Sequence, residues 1–375
     1  MRDVLDDLAG WYAAGETFGL ATVVGTFRSA PRPPGAAMAV SPTGEAVGSV
    51  SGGCVEGAVY DLARSVMESG RPLVQRYGVS DDDAFAVGLT CGGVLDVLVE
   101  PVGPATYPEF PEVAAAIRAG EPVAVATVVE GRGRIGARRV VWLGRAAGTL
   151  APGSPHAARL DGAVDEDARG MLALGRTGLR HYGTEGQRRR NELTVFVQSF
   201  SPPPRLLVFG AIDFAAAVAR IGRFLGHHVT VCDARPVFAT PKRFPEADEV
   251  VVKWPHKYLE EMVAAGRVDE RTVICVLTHD PKFDVPLLQV ALRTPAAYIG
   301  AMGSRRTHGD RLRRLREAGL TDSELARLRS PIGLDLGART PEETAVSIAA
   351  ELIQLRHGGT ARPLTDTTGP IHRPA

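Results

Sequence analysis

Cysteine is scarce in this chain, with four in 375 residues, and no two of them stand as Cys-x-x-Cys. So few thiols exclude a disulfide scaffold. An excess of one charge sign is also missing: 43 basic side chains balance 43 acidic ones. A nucleic-acid or membrane-surface protein needs a basic excess, so neither class fits. Lysine is nearly absent, confined to Lys242, Lys253, Lys257 and Lys282; the arginine bias reads as genomic composition. No apolar run approaches the roughly 18 residues of a spanning helix. The first residues carry acids (Asp3, Asp6, Asp7) where a secretory signal carries bases. The expectation is a soluble cytoplasmic protein. No internal repeat and no low-complexity block is evident.

What is present is ordinary globular composition, 45% apolar and 23% charged. At roughly 100–200 residues per domain the length predicts two domains. The boundary falls at Ser201-Pro202-Pro203-Pro204, a stiff connector that continues neither helix nor central strand. The expected division is 1–200, a linker at 201–204, a second domain at 205–357 and a flexible tail at 358–375. In the second domain, short apolar strands over 206–209, 229–232, 250–253, 273–277 and 297–299 alternate with helices. Those helices are expected up to about residue 224, around 258–265 and near 285–292. The alternation predicts a Rossmann-like doubly wound parallel sheet, an α/β architecture. The first domain reads as α+β. It has helices at 3–14, at 55–68 and after Pro111, and a hairpin formed by 36–40 and 45–50. Further strands are expected at 20–26, 73–77, 94–99, 123–129, 139–143 and 194–200.

Several stretches carry chemistry. Gly210-Ala211-Ile212-Asp213-Phe214-Ala215 follows a strand, and Asp233 ends the next one. A dinucleotide fingerprint wants Gly-x-Gly-x-x-Gly/Ala and an acid about 20 residues later. Ile212 replaces the middle glycine, and Asp213 puts a carboxylate where phosphate would bind. The fold signal survives while the NAD(P) signal is damaged. Gly300-Ala301-Met302-Gly303-Ser304-Arg305-Arg306 opens a later helix at a strand's carboxyl end and suits an anion. The competing reading makes those arginines merely the start of a basic face with Arg311, Arg313, Arg314 and Arg316. Thr278-His279-Asp280 also ends a strand, where His279 could relay a proton, ligate a metal or merely cap the strand. In the first domain, Ser51-Gly52-Gly53-Cys54-Val55-Glu56-Gly57 runs into a helix, where dipole and free amides favour a reactive thiolate. Leu89-Thr90-Cys91-Gly92-Gly93 supplies a second glycine-flanked thiol. Such thiols suit sulfur transfer or soft-metal ligation, or else are small buried hydrophobes. Cys232 and Cys275 lie in strands and read as core. Thr340-Pro341-Glu342-Glu343 is a capping box, hence structural.

Taken together these blocks resemble the XdhC/CoxI family, maturation factors of molybdenum hydroxylases such as xanthine dehydrogenase and carbon monoxide dehydrogenase. The resemblance rests on Ala30-Pro31-Arg32-Pro33-Pro34-Gly35-Ala36-Ala37-Met38, the two cysteine loops, Thr278-His279-Asp280, Tyr298-Ile299-Gly300 and Gly303-Ser304-Arg305-Arg306. It extends to Pro331-Ile332-Gly333-Leu334-Asp335-Leu336-Gly337-Ala338-Arg339 before the capping box, and covers roughly residues 8–103 and 205–356. It implies a chaperone that binds molybdenum cofactor, protects it during sulfuration and delivers it to an apo-hydroxylase. A cysteine desulfurase, the hydroxylase apoenzyme and a second copy of the chain are the implied partners. Cys54 and Cys91 are then candidate ligands of the molybdenum or its sulfur. The implied cofactor contacts are Gly52, Gly53, Glu56, Gly92, Gly93, Gly210, Asp233, His279, Gly300, Gly303, Ser304, Arg305 and Arg306. Ile212 departs from the family, whose members usually have glycine there. Two catalytic alternatives stand beside this reading: a persulfide-carrying sulfurtransferase, and an NAD(P)-dependent oxidoreductase.

Overall fold

The structure, a computed structural model, describes residues 1–27, 32–78, 93–278, 280–368 and 371. The chain divides into two compact units at the proline run, one over Met1–Pro202 and the other over Pro203–Asp366.

In chain order, the first unit begins with α1 (Leu5–Ala13), β1 (Phe18–Phe27), β2 (Ala37–Val40) and β3 (Ala46–Gly48). It continues with α2 (Glu56–Ser69), β4 (Leu73–Tyr77) and β5 (Val94–Val102). Then come α3 (Phe110–Ala119), β6 (Val123–Gly131), β7 (Arg138–Trp142), β8 (Ala146–Thr149), α4 (Ala157–Ala173), β9 (Gly178–Tyr182) and β10 (Leu193–Phe200). These form two five-stranded sheets, ordered β3-β2-β1-β5-β4 and β8-β7-β6-β10-β9. All their pairings are antiparallel.

The second sheet therefore repeats the topology of the first, a duplication that reading the sequence for repeats does not reveal. The match extends to detail. The central pair of each sheet shifts register once, leaving Val24 out of the β1–β5 ladder and Val129 out of the β6–β10 ladder. Thr22 faces Leu98 in one sheet and Thr127 faces Phe196 in the other. Val24, Leu98, Val129 and Phe196 then pack together in one small core. Gly48 and Gly148 both have φ of +79°, and a Cβ on either would strike the carbonyl oxygen of Ala37 or Arg138 across the hairpin. Only glycine tolerates both conditions. A duplication can persist with little sequence identity because alternation of buried residues, one bulge and one glycine suffice to specify it.

Alternation explains the layers. Phe18 and Leu20 of β1 join Val123 and Val125 of β6, together with α1 and α3, in one core. Ala21 and Val23 face α2 instead, and Ala124, Ala126 and Val128 face α4.

The second unit contains β11 (Arg205–Phe209), α5 (Asp213–Phe224), β12 (His228–Asp233), β13 (Glu249–Val252), α6 (Pro255–Ala264) and β14 (Val273–Val276). It is completed by α7 (Pro281–Ala291), β15 (Tyr298–Ala301), α8 (Arg305–Glu317), α9 (Asp322–Leu325), β16 (Leu328–Arg329) and α10 (Pro341–His357). Its sheet runs β13-β12-β11-β14-β15-β16, every pairing parallel. This is the Rossmann strand order. Leu206 and Val208 of β11 point to α5 and α10, while Leu207 and Phe209 point to α6, α7 and α8. Burial on both faces is why these strands read as unbroken apolar runs.

Helices α6 and α7 begin earlier than the sequence periodicity predicts. Each has proline in its first turn, Pro255 and Pro281, where the missing N–H costs nothing and the fixed φ already suits a helix. The expected tail is described through residue 368 and at residue 371.

Candidate functional site

Because every strand of the second unit's sheet is parallel, all the strand-to-helix turns gather at one edge. The order reverses between β11 and β14, and the turns after these two strands touch there. Leu277 N–H donates to Phe209 O at 2.8 Å. A Cβ on Gly210, whose φ is +110°, would lie 3.0 Å from the Thr278 backbone nitrogen. Such a crevice is the usual ligand position in open parallel sheets.

Asp233, at the end of β12, lies beside it and is 3% exposed. Its carboxylate accepts the Ala211 N–H, the Arg235 N–H and two bonds from the Arg235 guanidinium. Burial alone would raise its pKa; the Arg235 and Ala211 hydrogen bonds overcome this and hold it below the usual carboxylate value. Both oxygens already accept two hydrogen bonds, so a ribose diol would have to displace Arg235. At the middle fingerprint position Ile212 is extended, with φ of −114°. Asp213 opens α5, and its exposed side chain pairs with Arg243 at 3.3 Å.

On the other side of the crevice, Ser304 caps α8 by accepting the Thr307 N–H. Gly303 has φ of +145°, and Arg305 and Arg306 are exposed. Neither guanidinium makes an ion pair with a described residue. Gly300 lies deeper: a Cβ there would come within 2.6 Å of the Ile332 and Tyr298 side chains, which gives it a packing role. Of the basic face, Arg311 turns inward, 3% exposed, whereas Arg313, Arg314 and Arg316 are exposed. Arg311 donates to Asp284 at 2.9 Å, to Met302 O at 2.8 Å and to Ser330 Oγ at 3.0 Å. Thr278 Oγ1 donates to the same Asp284 carboxylate. This buried Thr278–Asp284–Arg311 chain ties the turns after β14 and β15 together. Nothing in the linear pattern of alternating arginines marks Arg311 as the inward one; its spacing of four from the buried Leu315 is the only hint. Asp280 caps α7 through the Lys282 N–H. His279, Cys91 and Gly92 lie outside the described residues, and Gly93 is buried just before β5.

In the first unit, Cys54 stands two residues before α2. It is partly buried and packs against the core beneath α2. The preceding loop closes on Glu56, the first residue of that helix. Its Oε1 accepts Ser49 Oγ–H at 2.6 Å and the N–H groups of Val50, Ser51 and Gly52 at 2.9–3.2 Å. Its Oε2 accepts Ser51 Oγ–H at 2.5 Å, Gly53 N–H at 2.8 Å and Val55 N–H at 3.2 Å. Burial pushes this carboxyl upward, but the Ser49 and Ser51 hydroxyls and the Ser51 amide outweigh it and bring its pKa to about 2. The free amides expected to favour a reactive thiolate are therefore turned onto the protein's own carboxylate. Cys232 and Cys275 are core residues, 1% and 0% exposed, and burial pushes each thiol up to about 12. Among the described residues there is no group of three or more His, Cys, Asp or Glu side chains placed to hold a metal. No helix among them is long and apolar enough to cross a membrane.

Comparison with known proteins agrees with this division. The model of the XdhC Rossmann domain matches residues 206–352. That of the XdhC and CoxI family matches 11–78 and 116–183, segments holding topologically equivalent parts of the duplicated unit. A protein of Bacillus subtilis described as a probable xanthine dehydrogenase subunit is 27% identical over 339 residues, covering 90% of this chain and 92% of its own. The molybdenum cofactor insertion chaperone PaoD of Escherichia coli is 27% identical over 338 residues, 90% of this chain and 83% of its own. A crystal structure of a xanthine dehydrogenase from Bacillus halodurans superposes with a TM-score of 0.67 at 26% identity, covering 97% of both chains. With a family match in each of its two units, the chain belongs to the XdhC and CoxI family.

Proposed function

We propose that the protein is a molybdenum-cofactor insertion chaperone. In this reading it binds the cofactor, holds it during sulfuration and passes it to a xanthine dehydrogenase or CO dehydrogenase type hydroxylase. The observation that carries the binding step is the start of α8. Two exposed guanidiniums without carboxylate partners among the described residues flank a serine-capped helix end at the carboxyl edge of a parallel sheet. That chemistry suits the phosphate of the cofactor. Cys54 or Cys91 supplies a soft ligand for the molybdenum or its sulfur. The name of the Escherichia coli relative supports the same cargo. A cysteine desulfurase, the apo-hydroxylase and a second copy of this chain are the proposed partners. The oxidoreductase alternative is disfavoured by Asp233, whose acceptor positions are filled from within the chain.

The test is anaerobic titration of the protein with molybdenum cofactor, then gel filtration and assay of bound molybdenum and pterin. Near-stoichiometric retention is expected, weakened about tenfold in an Arg305→Ala/Arg306→Ala variant, the loss of about 1.4 kcal/mol of charge-assisted hydrogen bonding. No retention under conditions that load a control chaperone would sink the proposal. Mass spectrometry after incubation with a desulfurase and cysteine separates a ligand from a carrier. Added sulfur on Cys54 would convert the chaperone reading into the sulfurtransferase one.

A further inference from the structure

We propose that Glu56 is a positioning residue for Cys54: its carboxylate gathers the Ser49–Val55 loop around itself and thereby fixes the thiol at the start of α2. The proposal rests on the reading of Cys54 as the sulfur- or molybdenum-facing group, and assigns Glu56 a place behind that thiol rather than against the cofactor.

Seven donors converge on the one carboxylate, five backbone N–H groups and two hydroxyls. No cation pairs with it among the described residues. The link to Cys54 runs through its backbone: the Ser51 hydroxyl that donates to Glu56 accepts the N–H groups of Cys54 and Val55, both at 3.0 Å. Gly52 and Gly53, at φ of +80° and +120°, have no side chains to hold the loop, so its shape depends on the anion at its centre. The duplicated half shows that the fold does not require this arrangement. At the corresponding β8–α4 junction the Leu150 N–H donates to Asp161 at 3.0 Å, and Asp161 lies 3.7 Å from the Arg139 guanidinium. An ion pair closes that junction; a ring of amides closes the one that carries the cysteine.

The experiment uses the full chain without cofactor and reads alkylation of each cysteine by iodoacetamide with mass spectrometry. Cys232 and Cys275 serve as internal reporters of global unfolding. In Glu56→Ala, the Cys54 rate is expected to rise at least tenfold while Cys232 and Cys275 stay protected. Formate, a free carboxylate that fits the emptied ring, should return the rate toward wild type, and chloride at equal ionic strength should not. Glu56→Gln should also react fast, since its amide NH2 opposes N–H donors, and formate should not rescue it. Rates within twofold of wild type in both variants would overturn the proposal. If Glu56→Ala exposes Cys232 and Cys275, Ser51→Ala, which removes only the bridging hydroxyl, becomes the deciding variant: a faster Cys54 supports the proposal and an unchanged one overturns it. Because this readout needs no cofactor, failure of the chaperone reading shows separately, as wild-type protein that retains no molybdenum.

Discussion

The two halves of the first unit share strand order, one bulge and a glycine near the end of the third strand, yet use their polar groups differently. In the β6–β10 half, buried carboxylates meet a cation. Arg139 holds Asp165 through two hydrogen bonds of 2.7 and 2.8 Å and stands near Asp161. In the β1–β5 half, the carboxylate of Glu56 meets backbone amides and serines. An ion pair locks a junction with side chains alone, whereas amide donors fix the backbone itself, and with it whatever side chain the loop carries. The half with the thiol has the backbone-fixing version; under the proposed function, one copy of the duplication serves stability and the other the site.

The largest expected effect strikes the structural copy. Asp165→Ala removes two short hydrogen bonds from the Arg139 guanidinium, 18% exposed, leaving it Gly148 O at 2.7 Å and Asp161 at 3.7 Å, and should cost about 2 kcal/mol of stability by urea unfolding. Cofactor retention by the folded variant should stay at the wild-type level; a matching loss of retention would erase the contrast between the halves. Next comes Cys54→Ser, expected to weaken retention about tenfold, about 1.4 kcal/mol, with an unchanged unfolding midpoint. Ser154→Ala in the corresponding loop of the other half should leave retention intact. Equal effects of the two substitutions would show that the site is not confined to one copy. The remaining effect is a pH dependence. Glu56 titrates lower in the folded chain, at about 2, than its ordinary 4.5. The stability it contributes is therefore fully present above about 4.5 and is lost as pH falls toward 2. The stability difference between wild type and Glu56→Gln should shrink over that window, and a difference that is flat with pH would mean the amide ring does not favour the anion.

Much of the second unit was legible before the structure. Apolar runs such as Leu206–Phe209 and Val273–Val276, each ending in a turn, specify a parallel sheet because burial on both faces leaves no polar alternation. The damaged fingerprint was legible too, since Ile212 stands where glycine would be. Arg311 was not. An arginine is assigned to solvent by default, and only the meeting of Asp284, Met302 and Ser330 around it makes an inward position tolerable. In the first unit, α4 escaped notice because its Gly and Asp residues dilute the apolar stripe: Asp161 and Asp165 are themselves buried, satisfied by partners from other elements.

The sequence by itself determined the family, the Rossmann strand pattern and the core cysteines. Each of these depends on local order: periodicity, proline and glycine placement, and short motifs read along one strand of chain. Tertiary structure alone decided that the first unit is a duplication, that Asp233 is already spoken for by Arg235, and that Glu56 turns inward to gather the loop before Cys54. Those outcomes depend on where donors and acceptors meet once the chain has folded. A carboxylate in a sequence carries no sign of whether it will face a ligand, a cation or its own backbone.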